Sequence, residues 1–212
     1  MRHKRHSQFD QPGNSKILGI TGIFIAGFLS ACLISYYTSE PTGKNFTNSP
    51  NTPVLQPNSE DIRVCFTPDQ KCLPEIIKRI NAAQSSIGVM GYYFTSKPLA
   101  NALIEAKNRK VNVLVVLDHS QFFQKASKSI IANLTKNQIP LRFDKSVRIA
   151  HNKVIIIDEK QVITGSYNFT PSAEFNNAEN LVFISSCHVA EKYSEYFKTR
   201  WNMAKPLAKP LL

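Results

Sequence analysis

Apolar positions follow two periodicities between residues 61 and 205, and these predict alternating strands and helices. Short alternating or continuous apolar runs predict seven strands: Ile62–Thr67, Ser86–Phe94, Val111–Leu117, Ile139–Phe143, Lys153–Ile157, Val162–Ser166 and Asn180–Ile184. Helical spacing predicts four helices: Leu73–Ala83, Ser96–Asn108, Phe122–Asn137 and Val189–Asn202. Strands alternate with helices at first and then follow one another, so we expect an α/β fold with a mixed β-sheet sandwiched between helices.

A long apolar run precedes this domain. The 21 residues Ile17–Tyr37 carry no charge, and as a helix they would span roughly 30 Å, the thickness of a hydrocarbon core. Residues 1–16 contain four Lys and Arg residues, and cations of this kind stay on the cytoplasmic side of a membrane. We therefore predict a cytoplasmic basic tail at 1–16, a membrane helix at 17–37 and a folded domain on the periplasmic or extracytoplasmic side.

Two alternatives to an uncleaved anchor stay open. The run also fits a cleaved signal segment that releases a secreted protein. Leu29–Cys32 resembles a bacterial lipoprotein box, in which Cys32 would carry the lipid. We favour the anchor because the sequence remains apolar after Cys32. Residues 38–60 are polar and contain four prolines, which predicts a flexible linker before a domain at 61–205 and a short C-terminal tail at 206–212.

The chain is basic, with a formal net charge of +11. Residues 1–43 hold four cations and two carboxylates, so +9 of this charge belongs to the remainder. Such a domain favours polyanionic partners, either nucleic acid or an anionic membrane surface. A surface charged only for solubility explains the composition equally well.

Cys65 and Cys72 enclose six residues with a turn-like Pro-Asp centre, a loop that a disulfide bond would close. Two reduced thiols at a strand end are the alternative. A membrane-tethered domain outside the cytoplasm lies in an oxidising space, which favours the bond. The spacing of the cysteines and histidines does not predict a zinc site.

One segment concentrates polar groups that suit phosphate chemistry. In a strand, residues two apart point the same way, so His151 projects with Lys153, and Ser166 with Asn168. An ammonium neutralises the non-bridging oxygens of a phosphoryl group, a hydroxyl and an amide donate hydrogen bonds to it, and an imidazole attacks or shuttles protons. Asp158 lies an odd number of residues from His151, so we expect it to face away and hold the turn.

The pattern His-x-Lys-x4-Asp followed by x6-Gly-Ser-x-Asn resembles the HKD motif of the phospholipase D superfamily. It is intact at His151, Lys153, Asp158, Gly165, Ser166 and Asn168. Downstream, Glu179 matches the acidic residue that orients the nucleophilic histidine in that family. Val64–Phe66, Tyr92–Ser96 and Val115–Asp118 look like segments of small bacterial single-motif endonucleases. The resemblance covers about residues 61–203.

The resemblance implies a two-step displacement without a metal or cofactor. His151 would form a phosphohistidine, with Glu179 orienting its ring, while Lys153, Ser166 and Asn168 would bind the phosphate. A second histidine would protonate the leaving oxygen and then activate water. The chain carries one motif and no internal repeat, so the second histidine would come from a second copy, in a homodimer with the active site at its twofold interface.

Three functions follow from this resemblance. The first is a metal-independent endonuclease acting on DNA or RNA, which the basic domain favours. The second is a phospholipase D that hydrolyses membrane phospholipids to phosphatidic acid, which the membrane tether favours. The third is an inactive protein that binds nucleic acid or membranes, which the intact motif disfavours.

Several residues beside the motif have open roles. Glu174 is an alternative to Glu179 as the orienting carboxylate. The aromatic segment Tyr92–Phe94 would either stack nucleic-acid bases or pack in the core. The cations Arg142, Lys145 and Arg148 precede His151 closely and could guide a polyanion to it.

Overall fold

The computed structural model describes residues 61–206. The predicted basic tail, membrane segment, linker and lipidation site at Cys32 lie outside these residues. So do residues 207–212 of the predicted C-terminal tail. Within the described part of the chain, no helix is long and apolar enough to cross a membrane.

Eight strands form one sheet in the described residues. Their bounds are β1 (Asp61–Thr67), β2 (Ser86–Gly91), β3 (Asn112–Asp118), β4 (Leu141–Asp144), β5 (Lys153–Ile157), β6 (Gln161–Gly165), β7 (Glu179–Ser185) and β8 (Lys205–Pro206). The strand order is β1-β7-β6-β5-β2-β3-β4-β8. Strands β2, β3 and β4 are parallel, and the other neighbours pair antiparallel. The predicted mixed sheet is confirmed.

Five helices accompany the sheet in residues 61–206. They are α1 (Leu73–Ala82), α2 (Lys97–Asn108), α3 (Lys125–Lys136), α4 (Pro171–Phe175) and α5 (Cys187–Met203), with a 3-10 turn at His119–Phe122. Ser96 caps α2, because its side chain accepts a hydrogen bond from the Leu99 N–H. The sequence analysis missed α4, which has a single turn and therefore no apolar period to detect.

The two faces of the sheet hold separate apolar clusters. Alternate residues of β5 point to opposite faces: Ile155 and Ile157 belong to the cluster that contains residues of α1, α2 and α3, whereas Val154 and Ile156 belong to the cluster with α5. All five residues of β5 are buried. This explains the continuous apolar run in its sequence.

Helix α5 leaves part of its own face of the sheet bare. It packs on β2, β4, β5 and β6, whereas β1 lies at the sheet edge beside β7. Three apolar side chains on one side of β1 stay more than half exposed: Ile62 at 57%, Val64 at 57% and Phe66 at 52%. We call Ile62, Val64 and Phe66 the β1 stripe.

Candidate active site

The predicted catalytic and phosphate-binding residues gather at one end of the strands, which we call the active-site edge. The parallel strands β2 and β3 end there at Gly91 and Asp118, and the antiparallel strand β5 begins there at Lys153. Strand β6 ends there at Gly165, and β7 begins there at Glu179. The carboxyl ends of parallel strands are where α/β folds commonly place functional side chains. Here the antiparallel neighbours deliver residues to the same edge.

His151 and Lys153 meet at the start of β5. His151 is exposed and Lys153 is buried, with 7% of its surface accessible. The Lys153 Nζ lies 3.1 Å from the His151 Nε2 and donates to the His151 carbonyl oxygen at 3.2 Å. Because an ammonium can only donate, Nε2 accepts and the ring proton lies on Nδ1. Nε2 therefore carries no proton, and its lone pair accepts the hydrogen bond from Lys153.

His151 itself lies outside the strand. Strand β5 begins at Lys153, which pairs with Gly91, the last residue of β2. The prediction that His151 and Lys153 project together is confirmed by their contact. Alternation along a strand is not the cause, because β5 begins only at Lys153 and its β2 partner ends opposite that residue.

The Tyr92 ring lies against both groups. The centroid of the Tyr92 ring is 4.6 Å from the centroid of the His151 ring, and the Lys153 Nζ lies 5.2 Å from the Tyr92 centroid. The face of an aromatic ring attracts an ammonium, so Tyr92 favours the charged form of Lys153. Tyr92 thus joins the site, whereas Phe94 is fully buried in the core.

Asp118 fixes the backbone just before His151. It is buried, and its Oδ2 accepts a hydrogen bond of 2.7 Å from the Ala150 N–H. Its Oδ1 accepts hydrogen bonds from the N–H and hydroxyl of Ser120. Sequence reasoning missed this role, although an acidic residue at the carboxyl end of a buried parallel strand was a usable signal.

Burial lowers the pKa of Lys153, and the charge of Glu179 opposes that effect. Burial disfavours an ammonium, and a nearby carboxylate stabilises it. The site therefore holds a cation that is incompletely hydrated. Such a cation interacts more strongly with a phosphate than one in bulk water does.

Ser166 and Glu179 are joined directly. The Ser166 hydroxyl donates to Glu179 Oε2, and the Asn177 side chain donates to Glu179 Oε1 at 2.9 Å. The Ser166 Oγ also accepts from the Asn180 N–H. These contacts attach Glu179 to the phosphate-binding candidate Ser166. The orienting role of Glu179 toward His151 stays a prediction.

Gly165 allows this approach of β6 and β7. Its φ is +155°, and an added Cβ would lie 2.1 Å from the backbone oxygen of Asn180. Only glycine fits such a position without moving the backbone. The glycine of the motif therefore has a structural reason.

Asn168 follows on the same segment, and it is half-buried. Its Oδ1 is buried without a hydrogen-bond partner within residues 61–206. The next residue, Phe169, is held on both sides, because its N–H donates to the Tyr93 oxygen and its oxygen accepts from Thr95 and Ser96. This oxygen can only accept a hydrogen bond and a phosphodiester offers only acceptors, so a phosphate-binding role of Asn168 would fall to its Nδ2 donor.

Asp158 lies at the far end of the β5–β6 hairpin, as predicted. Its carboxylate accepts hydrogen bonds from the backbone N–H groups of Gln84, Ser85 and Ser86. Burial alone would raise the pKa of Asp158, but these hydrogen bonds outweigh it and the pKa lies below its usual range. The residue ties the hairpin turn to the start of β2.

Two other candidates have structural contacts elsewhere. Glu174 is buried and accepts hydrogen bonds from Cys72, Leu73 and Tyr167. The guanidinium of Arg142 stacks on Trp201, 4.4 Å from the ring centroid, and donates to the Trp201 oxygen. Packing on α5 thus engages this side chain, and the suggestion that Arg142 guides a polyanion stays a prediction.

The predicted bond between Cys65 and Cys72 is present. It joins β1 to the residue before α1. Within residues 61–206, no cluster of His, Cys, Asp and Glu is arranged to hold a metal ion.

Comparison with known proteins agrees with this geometry. A family model described as "Cardiolipin synthase, PLD-like domain" matches residues 76–201, more than half of the chain. The chain belongs to the phospholipase D superfamily. The residues at the active-site edge include the motif residues on which the resemblance to this superfamily was based.

This superfamily member has curated relatives of two kinds. It is 35% identical to a protein named phospholipase D from Rickettsia prowazekii, over 88% of this chain and 94% of that protein. It is 29% identical to the mitochondrial cardiolipin hydrolase of Mus musculus, over 73% of this chain and 69% of that protein.

A solved relative has the same fold. The phospholipase D family member Nuc from Salmonella typhimurium matches with a TM-score of 0.68 and 35% identity, over 71% of this chain and 99% of that one. Together with the curated relatives, this identifies the superfamily member as a phosphoric diester hydrolase.

Proposed function

We propose that this protein cleaves phosphodiesters through a phosphohistidine on His151, with nucleic acid as the substrate. The observation that carries the proposal is the contact of the Lys153 ammonium with Nε2 of His151. It leaves an imidazole nitrogen unprotonated beside a cation that attracts phosphate. No metal ion takes part in the proposed reaction.

In the first step, Nε2 of His151 attacks phosphorus and forms an N–P bond as the P–O bond to the leaving group breaks. Lys153, Ser166 and Asn168 stabilise the charge on the non-bridging oxygens. A second imidazole gives its proton to the leaving oxygen. In the second step that imidazole takes a proton from water, the resulting oxygen attacks phosphorus, and the N–P bond breaks.

The second imidazole is His151 of another copy of the chain, in the homodimer that this mechanism requires. The β1 stripe supports a second copy, because exposed contiguous apolar side chains mark interaction surfaces. Phe66 precedes Thr67, which pairs with Glu179. A second copy of the chain bound to the β1 stripe would therefore lie next to the active-site edge.

Nucleic acid is the favoured substrate for two reasons. The domain carries most of the chain's net positive charge, and exposed Lys145 and Arg148 precede His151. A polyanion gains affinity from each phosphate that such cations neutralise.

The test uses the full chain in detergent with EDTA and plasmid or single-stranded DNA. We expect cleavage to persist in EDTA and to fall by at least about 10³-fold in His151→Ala. With 3′- and 5′-labelled substrates tested separately, the ³²P label of the fragment bonded to His151 should be trapped on the wild-type protein by an alkaline detergent quench and be lost on heating in acid. Cleavage that requires added metal, or that survives in His151→Ala, would refute the proposal.

Phospholipid is the second candidate substrate. The relatives named phospholipase D and mitochondrial cardiolipin hydrolase favour it, as does the predicted membrane segment. Vesicles of phosphatidylcholine and of cardiolipin, tested with the same variant, separate the two. Release of choline or phosphatidic acid without DNA cleavage would assign the lipid activity.

A further inference from the structure

Glu174 is a buried carboxylate that the proposed reaction does not use. Only 2% of its surface is exposed. One oxygen, Oε2, accepts three hydrogen bonds: from the Cys72 N–H at 3.2 Å, the Leu73 N–H at 3.0 Å and the Tyr167 hydroxyl at 3.0 Å. A buried charge with several hydrogen-bond donors is costly to disturb.

Two of these donors are backbone N–H groups at the start of α1 that have no hydrogen-bond partner within the helix. The side chain of Cys72 provides no cap for this helix, so the carboxylate of Glu174 satisfies N–H groups that would otherwise lack partners. Cys72 is also bonded to Cys65 of β1. This end of the network is therefore fixed to both a helix and a strand.

The third donor belongs to the candidate phosphate-binding segment. Tyr167 stands between Ser166 and Asn168, and only 1% of its surface is exposed. Its ring belongs to the main apolar cluster. The Tyr167 hydroxyl therefore links this segment to α1 through its hydrogen bond to Glu174.

Burial and the adjacent Glu174 charge raise the pKa of Tyr167 well above its usual range. The hydroxyl consequently stays protonated at neutral pH and can donate to Glu174. A second contact ties β1 to the segment that contains Glu174. The Thr67 hydroxyl shares its proton between the backbone oxygens of Ala173 and Asn177.

We propose that Glu174 is a positioning residue, which acts through the Tyr167 hydroxyl to fix Ser166 and Asn168 at the spacing that a phosphate requires. The inference rests on the proposed function, since it assigns Ser166 and Asn168 to phosphate binding. Glu174 touches no reacting atom. Its effect is on the binding of the phosphoryl group.

The test compares Glu174→Ala, Glu174→Gln, Tyr167→Phe and the double variant Tyr167→Phe/Glu174→Ala in the full chain. The substrate is bis(p-nitrophenyl) phosphate, and inorganic phosphate is the competitive inhibitor. We expect Glu174→Ala and Tyr167→Phe each to raise KM and the phosphate Ki by about tenfold. Glu174→Gln keeps an acceptor oxygen and should stay within about threefold of wild type.

The double variant decides whether the two residues act together. If Glu174 acts through the hydroxyl, Glu174→Ala should add no further change in KM or Ki to Tyr167→Phe. Glu75→Gln is the matched control, because Glu75 lies in the first turn of α1 and pairs with Arg79 instead. It should leave KM and Ki unchanged.

Two results would overturn the inference. One is a Glu174→Ala protein with a lower melting temperature but wild-type KM and Ki, which is the behaviour of a merely structural residue. The other is effects that multiply in the double variant. Phosphate affinity is also measured by calorimetry in the His151→Ala background, so the inference is tested even if the proposed chemistry fails. If Glu174→Ala does not fold, Tyr167→Phe still tests the inference, because wild-type KM and Ki in that variant would show that the Tyr167 hydroxyl does not position Ser166 and Asn168.

Discussion

Lys153 and Glu179 couple the charge of the site to pH. The Glu179 carboxylate favours the ammonium of Lys153, against the burial that lowers the pKa of this lysine. In Glu179→Gln the negative charge is gone, so the pKa of Lys153 falls further. We expect the alkaline limb of the kcat/KM profile to move to lower pH, together with a lower kcat.

The measurement is a pH-rate profile with bis(p-nitrophenyl) phosphate. Glu75→Gln removes a carboxylate of α1 that pairs with Arg79 and controls for net charge. An alkaline limb that stays in place in Glu179→Gln would mean that Glu179 does not influence Lys153.

Asp158 supports stability rather than chemistry. Its pKa is lowered in the folded protein, so its contribution is present above the unfolded pKa of about 4 and is lost as pH falls through the folded value. Asp158→Asn should therefore cost about 1–3 kcal/mol at pH 7 and much less near pH 3.

Urea unfolding at the two pH values measures this difference. Glu159→Gln, in the same turn, is the control, since its ion pair with Lys198 is exposed and contributes less than about 1 kcal/mol. An equal cost of Asp158→Asn at both pH values would contradict the assignment.

At the scale of single residues, the sequence predicted which residue types lie in the site and how they are spaced. It did not predict contacts between residues that are far apart in the chain. The contact of His151 with Lys153 was predictable because only two residues separate them. The bond from Asp118 to Ala150 crosses 32 residues, and the bond from Glu174 to Cys72 crosses 102. Such pairs depend on the order of strands in the sheet, which local patterns do not contain.

Among the elements, the junction of β6 and β7 is the most sensitive to substitution. In Gly165→Ala the new Cβ would collide with the Asn180 oxygen, and the strands must separate or the backbone must move. We expect a loss of at least about 2 kcal/mol of stability and most of the activity.

Gly88→Ala is the matched control in another strand. A Cβ at Gly88 would meet the Phe197 ring at 3.4 Å, an ordinary contact. Chemical denaturation of both variants gives the comparison. Equal stabilities of Gly165→Ala and Gly88→Ala would show that the β6–β7 junction relaxes easily.

Most elements were predicted because their apolar periods are long. Strand β5 was predicted with the observed bounds, and the other strands were shifted by one to three residues. Strand β8 was missed because it has only two residues and forms by pairing with β4. It also places Pro206 in the sheet, where a tail was predicted.

The chain carries one motif, whereas the proposed mechanism requires two imidazoles. If both come from one dimer, a wild-type subunit paired with a His151→Ala subunit is inactive. After subunit exchange in an equal mixture, we expect about a quarter of the activity of the same total amount of wild-type protein, because only that fraction of dimers is fully wild type.

Activity is measured across mixing ratios at constant total protein, with light scattering to follow the oligomeric state. A mixture assayed before exchange is the control and should retain about half of the activity. A linear dependence on the wild-type fraction after exchange would rule out a shared site.

The disulfide bond makes the stability of the purified protein depend on the compartment in which it is produced. The Cys65–Cys72 bond closes a short loop, and loops of this length contribute roughly 2–3 kcal/mol by restricting the unfolded chain. A reducing cytoplasm keeps such thiols apart. Protein recovered from that compartment should unfold at lower urea concentration than protein that was exported or oxidised with glutathione.

Cys187 complicates that oxidation, since it is a free and exposed thiol. An oxidant able to join Cys65 to Cys72 also acts on Cys187 and can link two molecules through it. We expect Cys187→Ser to remove covalent dimers from non-reducing gels while keeping the native loop. The variant should therefore be the better starting material for any measurement of subunit association, in which a spurious cross-link would imitate a genuine pair.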